Sequence, residues 1–245
     1  MKVVIAPAYG SLRPFIVRLP ACFGQEGETL HAGRNTVKRF QHEGKEWIVK
    51  RYKRPHFIQR VAYTFFRKSK AERAFCYAAR FQAQGIDTPD GVAFIEVRRG
   101  GLLCDSYFIS TACHHPAVTE LLPKTGEFHR PMADELAHFI AELHRKGILH
   151  GDLNLNNILY STDALGRYRF TLIDTNRTRF LASPSQHECL ENLKRITHRR
   201  DLLQYITEQY ACVRGWDSDA CAREVLLALD KFEQRNRWKK KLKGK

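Results

Sequence analysis

The sequence predicts an α+β fold of two lobes, a small antiparallel sheet carrying one or two helices followed by a compact, mostly helical lobe. Three observations lead there: short strand-like runs broken by turn residues in the first half, a switch to helical periodicity from Pro131, and a polar stretch, HGDLNLNN, set between a long helix and an apolar hairpin. At 245 residues the chain reads as one domain, with an N-lobe over about 1–112, a connection over about 113–118 and a C-lobe over about 119–245.

The first three strands are read over Glu28 to Ala32, Asn35 to Gln41 and Glu46 to Tyr52, with Gly33 at one junction and His42-Glu43-Gly44-Lys45 at the other. After Pro55, the residues Phe57, Ile58, Val61, Ala62, Phe65 and Phe66 recur at helical spacing and end in the basic cluster Arg67-Lys68-Ser69-Lys70. A second helix runs from Ser69 to about Gln84 and stops at Gly85. Two further strands, Gly91 to Glu96 and Ser106 to Ala112, are joined through Arg98-Arg99-Gly100-Gly101. From Pro131, the residues Met132, Leu136, Phe139, Ile140 and Leu143 mark an amphipathic helix that ends at Gly147 and delivers the chain to His150. Ile158 to Tyr160 and Phe170 to Ile173 then form a hairpin, and the remainder from about Pro184 is helical.

Composition narrows the function without choosing it. A 43% hydrophobic content supplies a core. The net charge of +15 and the pI near 9.7 call for an anionic partner, which nucleic acid, an anionic membrane surface or a phosphorylated ligand would each satisfy. Pro7 and Gly10 interrupt the apolar N-terminus, so no signal peptide is expected, and no apolar run is long enough to cross a bilayer. Seven cysteines without a CxxC pair read as reduced thiols of a cytosolic protein.

The stretch from His150 to Asn157 carries the chemistry. In the catalytic-loop pattern H-R-D-x-x-x-x-N, the aspartate orients a substrate hydroxyl and the asparagine five positions later holds a metal, and Asp152 and Asn157 have that spacing. A second metal ligand belongs at the end of the following hairpin, where Thr171-Leu172-Ile173-Asp174 provides Asp174. Taken singly, Asp152 and Asp174 are ordinary turn residues; the combination of helix, loop, hairpin and aspartate points to phosphoryl transfer.

A phosphate-binding lysine belongs on the third strand. Ile48-Val49-Lys50 supplies Lys50, with Ile48 and Tyr52 on the same face; Lys53 competes but falls beside Pro55, where the strand ends. The glutamate that would pair with Lys50 is Glu72 by elimination, although Ser69-Lys70-Ala71-Glu72 is equally a capping box. No P-loop is present, so only the turn Ala32-Gly33-Arg34-Asn35 is left to approach phosphates, and Gly33 and Arg34 equally suit a plain hairpin turn.

These residues resemble the lipopolysaccharide kinases of the Kdo/WaaP type, small bacterial members of the protein-kinase-like fold, over roughly 27–180 and most closely at His150–Asn157 and Leu172–Arg177. The resemblance implies ATP and Mg2+ as cofactors and a sugar hydroxyl of the lipopolysaccharide inner core, Kdo or heptose, as acceptor. It implies Asp152 as catalytic base, Asn157 and Asp174 as metal ligands, and Lys50 as the lysine on ATP, with Glu72, Gly33 and Arg34 as further nucleotide contacts. The chain departs from protein kinases at several places. Gly151 replaces the arginine that pairs with a phosphorylated activation loop, Asn154 stands where a lysine is common, no A-P-E follows, and Asp174-Thr175-Asn176 lacks the glycine of D-F-G, with Asn176 the tolerant substitute for a left-handed backbone.

The basic residues Arg51, Lys53, Arg54, Arg60, Arg67, Lys68 and Lys70, with the tail Lys239, Lys240, Lys241, Lys243 and Lys245, suit a peripheral position on the cytoplasmic face of an anionic inner membrane, with Phe232 and Trp238 as anchors. A solvated charged face accounts for the tail equally well. His114-His115 reads as linker and not as a metal site. No nucleic-acid partner is expected. A kinase for a soluble small molecule or protein, and a pseudokinase binding membrane or nucleic acid through charge alone, are the competing readings.

Overall fold

In the computed structural model, which describes residues 1–243, the chain forms two compact units, Met1–His114 and His115–Lys245. Lys245 of the basic tail lies outside the described residues, as do the side chains of Lys240 and Lys243.

The first unit comprises β1 (Lys2–Ile5), a 3-10 segment (Pro7–Leu12), α1 (Arg13–Cys22), β2 (Glu28–Ala32), β3 (Thr36–His42), β4 (Lys45–Tyr52), α2 (Phe57–Phe65), α3 (Lys70–Ala83), β5 (Gly91–Arg99) and β6 (Leu102–Thr111). The six strands make one antiparallel sheet in the order β1-β5-β6-β4-β3-β2. Strand alternation sorts the side chains by face. Trp47, Val49, Ala93, Ile95, Tyr107 and Ile109 pack with Phe15, Ile16, Leu19 and Phe23 of the α1 region, whereas Tyr52 and Phe94 meet Ala71 of α3 in a second cluster. The turn between β3 and β4 places Glu43 and Gly44 at φ of 51° and 70°, the two left-handed positions that a tight hairpin requires.

In this unit β1 and α1 go beyond the sequence reading. Prolines at 14 and 20 disguise the helix, yet Pro14 sits in the first turn, where no amide donor is needed, and Phe15, Ile16, Leu19 and Cys22 form its buried stripe.

The second unit begins with a 3-10 turn (Val118–Glu120) and α4 (Arg130–Arg145), followed by β7 (Ile148–Leu149), β8 (Ile158–Thr162), β9 (Tyr168–Leu172), β10 (Arg179–Phe180), α5 (Gln186–Leu193), α6 (Arg200–Arg214) and α7 (Ser218–Lys243). His129 caps α4 by accepting from the Met132 N–H at 3.2 Å, Pro131 occupies its first turn, and Met132, Leu136, Ile140 and Leu143 are buried. Gly147, at φ +75°, ends the helix where a Cβ would lie 1.9 Å from the Leu181 carbonyl oxygen, so only glycine fits. β7 and β10 pair antiparallel, and β8 pairs with β9. The basic tail is helical through Lys243, because α7 continues to that residue. Among the described residues no helix is long and apolar enough to cross a membrane.

Candidate active site

Alternation within HGDLNLNN builds the loop. Leu153 and Leu155 are buried, and the polar residues between them are left to satisfy the backbone. The Asn154 and Asn157 side-chain amides both donate to the Asp152 carbonyl, at 3.1 and 2.9 Å, and the Asn154 Oδ1 accepts from the Asn156 N–H at 3.1 Å. The side chains of Asn154 and Asn157 are therefore the internal bracing of a loop with no regular ladder, and Asn156 joins through its backbone N–H. The Asp152 carboxylate stays partly open to solvent, with 29% of its side chain exposed.

Hairpin geometry brings the second acidic residue to the same end. Ile158 pairs with Leu172, and one step further the Ile173 N–H donates to the Asn157 carbonyl at 3.0 Å, so Asn157 lies opposite Ile173 and Asp174 follows at the same end of the hairpin. Asp174 takes the left-handed conformation, φ 55° and ψ 46°, which an aspartate tolerates better than most residues. The left-handed position is thus Asp174 itself; Asn176, expected to fill that role, lies in a 3-10 turn and donates its amide to the Asp174 carboxylate.

His150, left without a role by the sequence reading, ties these two segments together. Its ring is buried, its Nε2–H donates to the Ile173 carbonyl at 3.1 Å, and its Nδ1 accepts from the Asp152 N–H at 3.3 Å. Those two bonds fix one neutral tautomer, and burial lowers its pKa from the ordinary imidazole value. A further buried chain holds the loop from behind. The Tyr210 hydroxyl donates to His144 Nδ1 at 2.8 Å, His144 Nε2–H donates to Asn192 Oδ1 at 3.1 Å, and the Asn192 amide donates to the His150 carbonyl at 2.9 Å. Burial pushes His144 down to about 4, the Asn192 bond opposing and the Arg214 charge assisting, so it too is neutral. These partners lie 66, 48 and 42 positions apart, which is why no local pattern exposes them.

Two arginines meet Asp152, Arg177 Nη1 at 3.3 Å from Oδ2 and Arg195 Nη1 at 3.8 Å from Oδ1. Arg177 is exposed and Arg195 half-buried, and each pair, open to solvent on at least one side, contributes about 1 kcal/mol. Gly151 accounts for the missing arginine of the usual loop: a Cβ there would sit 2.3 Å from the Arg177 carbonyl oxygen, displacing the segment that supplies Arg177.

The remaining predicted residues all lie in the first unit. Lys50 is half-buried on β4, its ammonium over the Tyr52 ring at 5.5 Å, as the shared strand face requires. At Glu72, the Ser69 hydroxyl accepts from the backbone N–H at 3.1 Å, which is half of a capping box, while the Glu72 carboxylate turns to Lys2 at 3.5 Å. Gly33 and Arg34 are exposed in the β2–β3 turn, closed by the Gly33 N–H to the Asn35 carbonyl at 3.1 Å.

As to a metal, Asn157 and Asp174 offer oxygen donors, and the Asn157 amide nitrogen is already committed, which leaves its Oδ1 for a cation. Among the described residues no group of three His, Cys, Asp or Glu side chains is placed to hold a metal alone. That sparse, hard donor set fits magnesium, which takes one or two protein oxygens and completes its shell with water and phosphate.

The profile of the lipopolysaccharide kinase (Kdo/WaaP) family matches residues 18–213. No curated protein matches the chain. Among solved structures, WaaP in complex with acyl carrier protein superposes over 96% of this chain and 98% of that one, with a TM-score of 0.61 at 14% identity, which assigns the protein-kinase-like α+β fold. The Rio2 kinase–ADP/Mg2+–phosphoaspartate complex from Chaetomium thermophilum covers 93% of this chain and 77% of its own, with a TM-score of 0.49 at 14% identity, and adds nothing to that assignment. With its fold shared with WaaP and four-fifths of its length matched by one profile, the chain belongs to the lipopolysaccharide kinase (Kdo/WaaP) family.

Proposed function

We propose that the protein is an ATP- and magnesium-dependent kinase that phosphorylates a sugar hydroxyl, Kdo or heptose, of the lipopolysaccharide inner core. The observation that carries this reading is the convergence of Asp152, Asn157 and Asp174, braced by His150, in a chain of that family. Bound magnesium supplies charge neutralisation across the transferring phosphates. Asn157 and Asp174 would hold it through oxygen, and Lys50, Gly33 and Arg34 of the first unit would be the contacts to the nucleotide phosphates. Glu72 serves Lys50; its surface pair with Lys2, worth at most about 1 kcal/mol, is weak enough to exchange. Asp152 orients the acceptor hydroxyl and takes its proton as the bond from that oxygen to the γ-phosphorus forms and the bond from the γ-phosphorus to the departing ADP oxygen breaks. Arg177 and Arg195, already on the Asp152 carboxylate, meet the anionic groups of an inner-core sugar at the same place. The acceptor being lipid-linked, the enzyme works peripherally at the cytoplasmic face of an anionic membrane.

The acceptor is tested by incubating the protein with magnesium and γ-labelled ATP against lipid A carrying Kdo, soluble sugars and protein. Label in the glycolipid supports the reading. Label confined to soluble sugar or protein moves the enzyme to a soluble acceptor.

A further inference from the structure

Helix α2 is turned inside out relative to an ordinary surface helix. Its apolar positions, Phe57, Ile58, Val61 and Phe65, followed by Phe66 at the C-cap, form a stripe at helical spacing. No residue of α2 is buried, and Phe57, Ile58, Phe65 and Phe66 are 67%, 82%, 68% and 81% exposed. The side chains that fasten the helix to the sheet are the polar ones. Arg60 Nε donates to the Leu103 carbonyl at 2.9 Å, Arg60 Nη2 donates to the Arg99 carbonyl at 3.2 Å, and the Thr64 hydroxyl accepts from the Leu103 N–H at 2.9 Å. The helix is therefore held in place with its phenylalanines outward, a concentration of exposed apolar surface that marks a contact site.

Charge selects the occupant. Lys53 and Arg54 precede the helix and Arg67 and Lys68 follow it, all exposed, with no acidic residue between Lys50 and Glu72. Arg98 and Arg99, on the turn that Arg60 grips, are exposed as well. Nearby Asp105 is paired with Arg54 at 3.0 Å. A convex apolar ridge rimmed by cations has the composition of helices that lie in a membrane interface, with aromatic side chains at the acyl boundary and Lys or Arg at the headgroups.

We propose that α2 is the membrane-docking element of this protein: Phe57, Ile58, Phe65 and Phe66 enter the headgroup region of an anionic phospholipid bilayer while Lys53, Arg67, Lys68, Arg98 and Arg99 contact its phosphates. The inference rests on the reading of the protein as a peripheral enzyme with a lipid-linked acceptor, and it relocates the anchor that the sequence placed in the tail. There, Phe232 is half-buried, stacked on His198 and beneath the Arg195 guanidinium at 5.1 Å, which leaves Trp238 as the exposed aromatic of that pair.

The test is co-sedimentation of the full chain with vesicles of phosphatidylcholine alone and of equal parts phosphatidylcholine and phosphatidylglycerol. Wild type binds the mixed vesicles and not the neutral ones. The double variant Phe65→Ser/Phe66→Ser binds them roughly a hundredfold more weakly, about tenfold for each phenylalanine lost. Trp238→Ser binds like wild type. Transfer to detergent-dispersed glycolipid is measured on the same proteins: the α2 variant keeps wild-type transfer there, and a wild type without transfer condemns the kinase reading while leaving the vesicle result to stand. Undiminished vesicle binding by the α2 variant overturns the proposal in favour of the tail. Absence of wild-type binding to either vesicle also overturns it and leaves the α2 ridge to a protein partner.

Discussion

Helices α2 and α4 carry the same kind of pattern in the sequence, apolar residues at helical spacing, and end in opposite environments. α4 buries Met132, Leu136, Ile140 and Leu143, whereas α2 buries nothing and exposes its phenylalanines. Periodicity states that an apolar stripe exists and is silent about what covers it. The polar residues decide: Arg60 and Thr64 find backbone partners under α2, so that its polar side faces the sheet, while buried His144 of α4 finds Tyr210 and Asn192 and carries the support of the helix through to the loop that begins at His150. One helix is thus a structural beam for the site and the other an outward-facing contact.

The contrast is sharpest in stability. Leu136→Ala leaves a cavity in α4 and is expected to cost roughly 2–5 kcal/mol in urea unfolding, whereas Phe65→Ser in α2 changes stability by no more than about 0.5 kcal/mol. Equal losses would break the comparison. Next in size is the pH response of α4. Because burial holds the folded pKa of His144 at about 4, below an unfolded value near 6.5, the unfolded chain takes up the proton first. Stability from this group is therefore full above about pH 6.5, declines as pH falls toward about 4, and levels off below, for a total on the order of 3 kcal/mol. Buried His150 acts in the same direction. His144→Gln should flatten this acid limb, leaving the part due to His150; an unchanged limb in that variant would show that the buried network does not bear on folding. The smallest of the three effects reads the beam directly in the chemistry. Asn192→Ala removes the link between His144 and the His150 carbonyl, and transfer should fall on the order of tenfold to a hundredfold with nucleotide affinity preserved.

Legibility in the sequence follows the same division between local and distant causes. The loop from His150 to Asn157 and the hairpin to Asp174 are visible because each role depends on spacing within one continuous stretch. The Arg177 and Arg195 pairs and the His144–Asn192 link are invisible because their partners are assembled by tertiary packing. Glu72 has a neighbour that elimination among the acidic residues did not supply: the unforeseen strand β1, whose Lys2 is opposite Glu96, sets the Lys2 ammonium beside the Glu72 carboxylate. Gly151 illustrates the reverse, a departure from the usual loop whose reason is steric, the approach of the Arg177 backbone, and which only coordinates reveal.

The central claim, that Asp152 works on the acceptor hydroxyl and not on the nucleotide, is tested most directly by transfer of labelled γ-phosphate from ATP to lipid A carrying Kdo in Asp152→Asn beside wild type, with ATP affinity measured on both proteins. The account predicts a fall in turnover on the order of 10²–10⁴-fold with ATP affinity within about twofold of wild type. Turnover at the wild-type rate in the variant would contradict it.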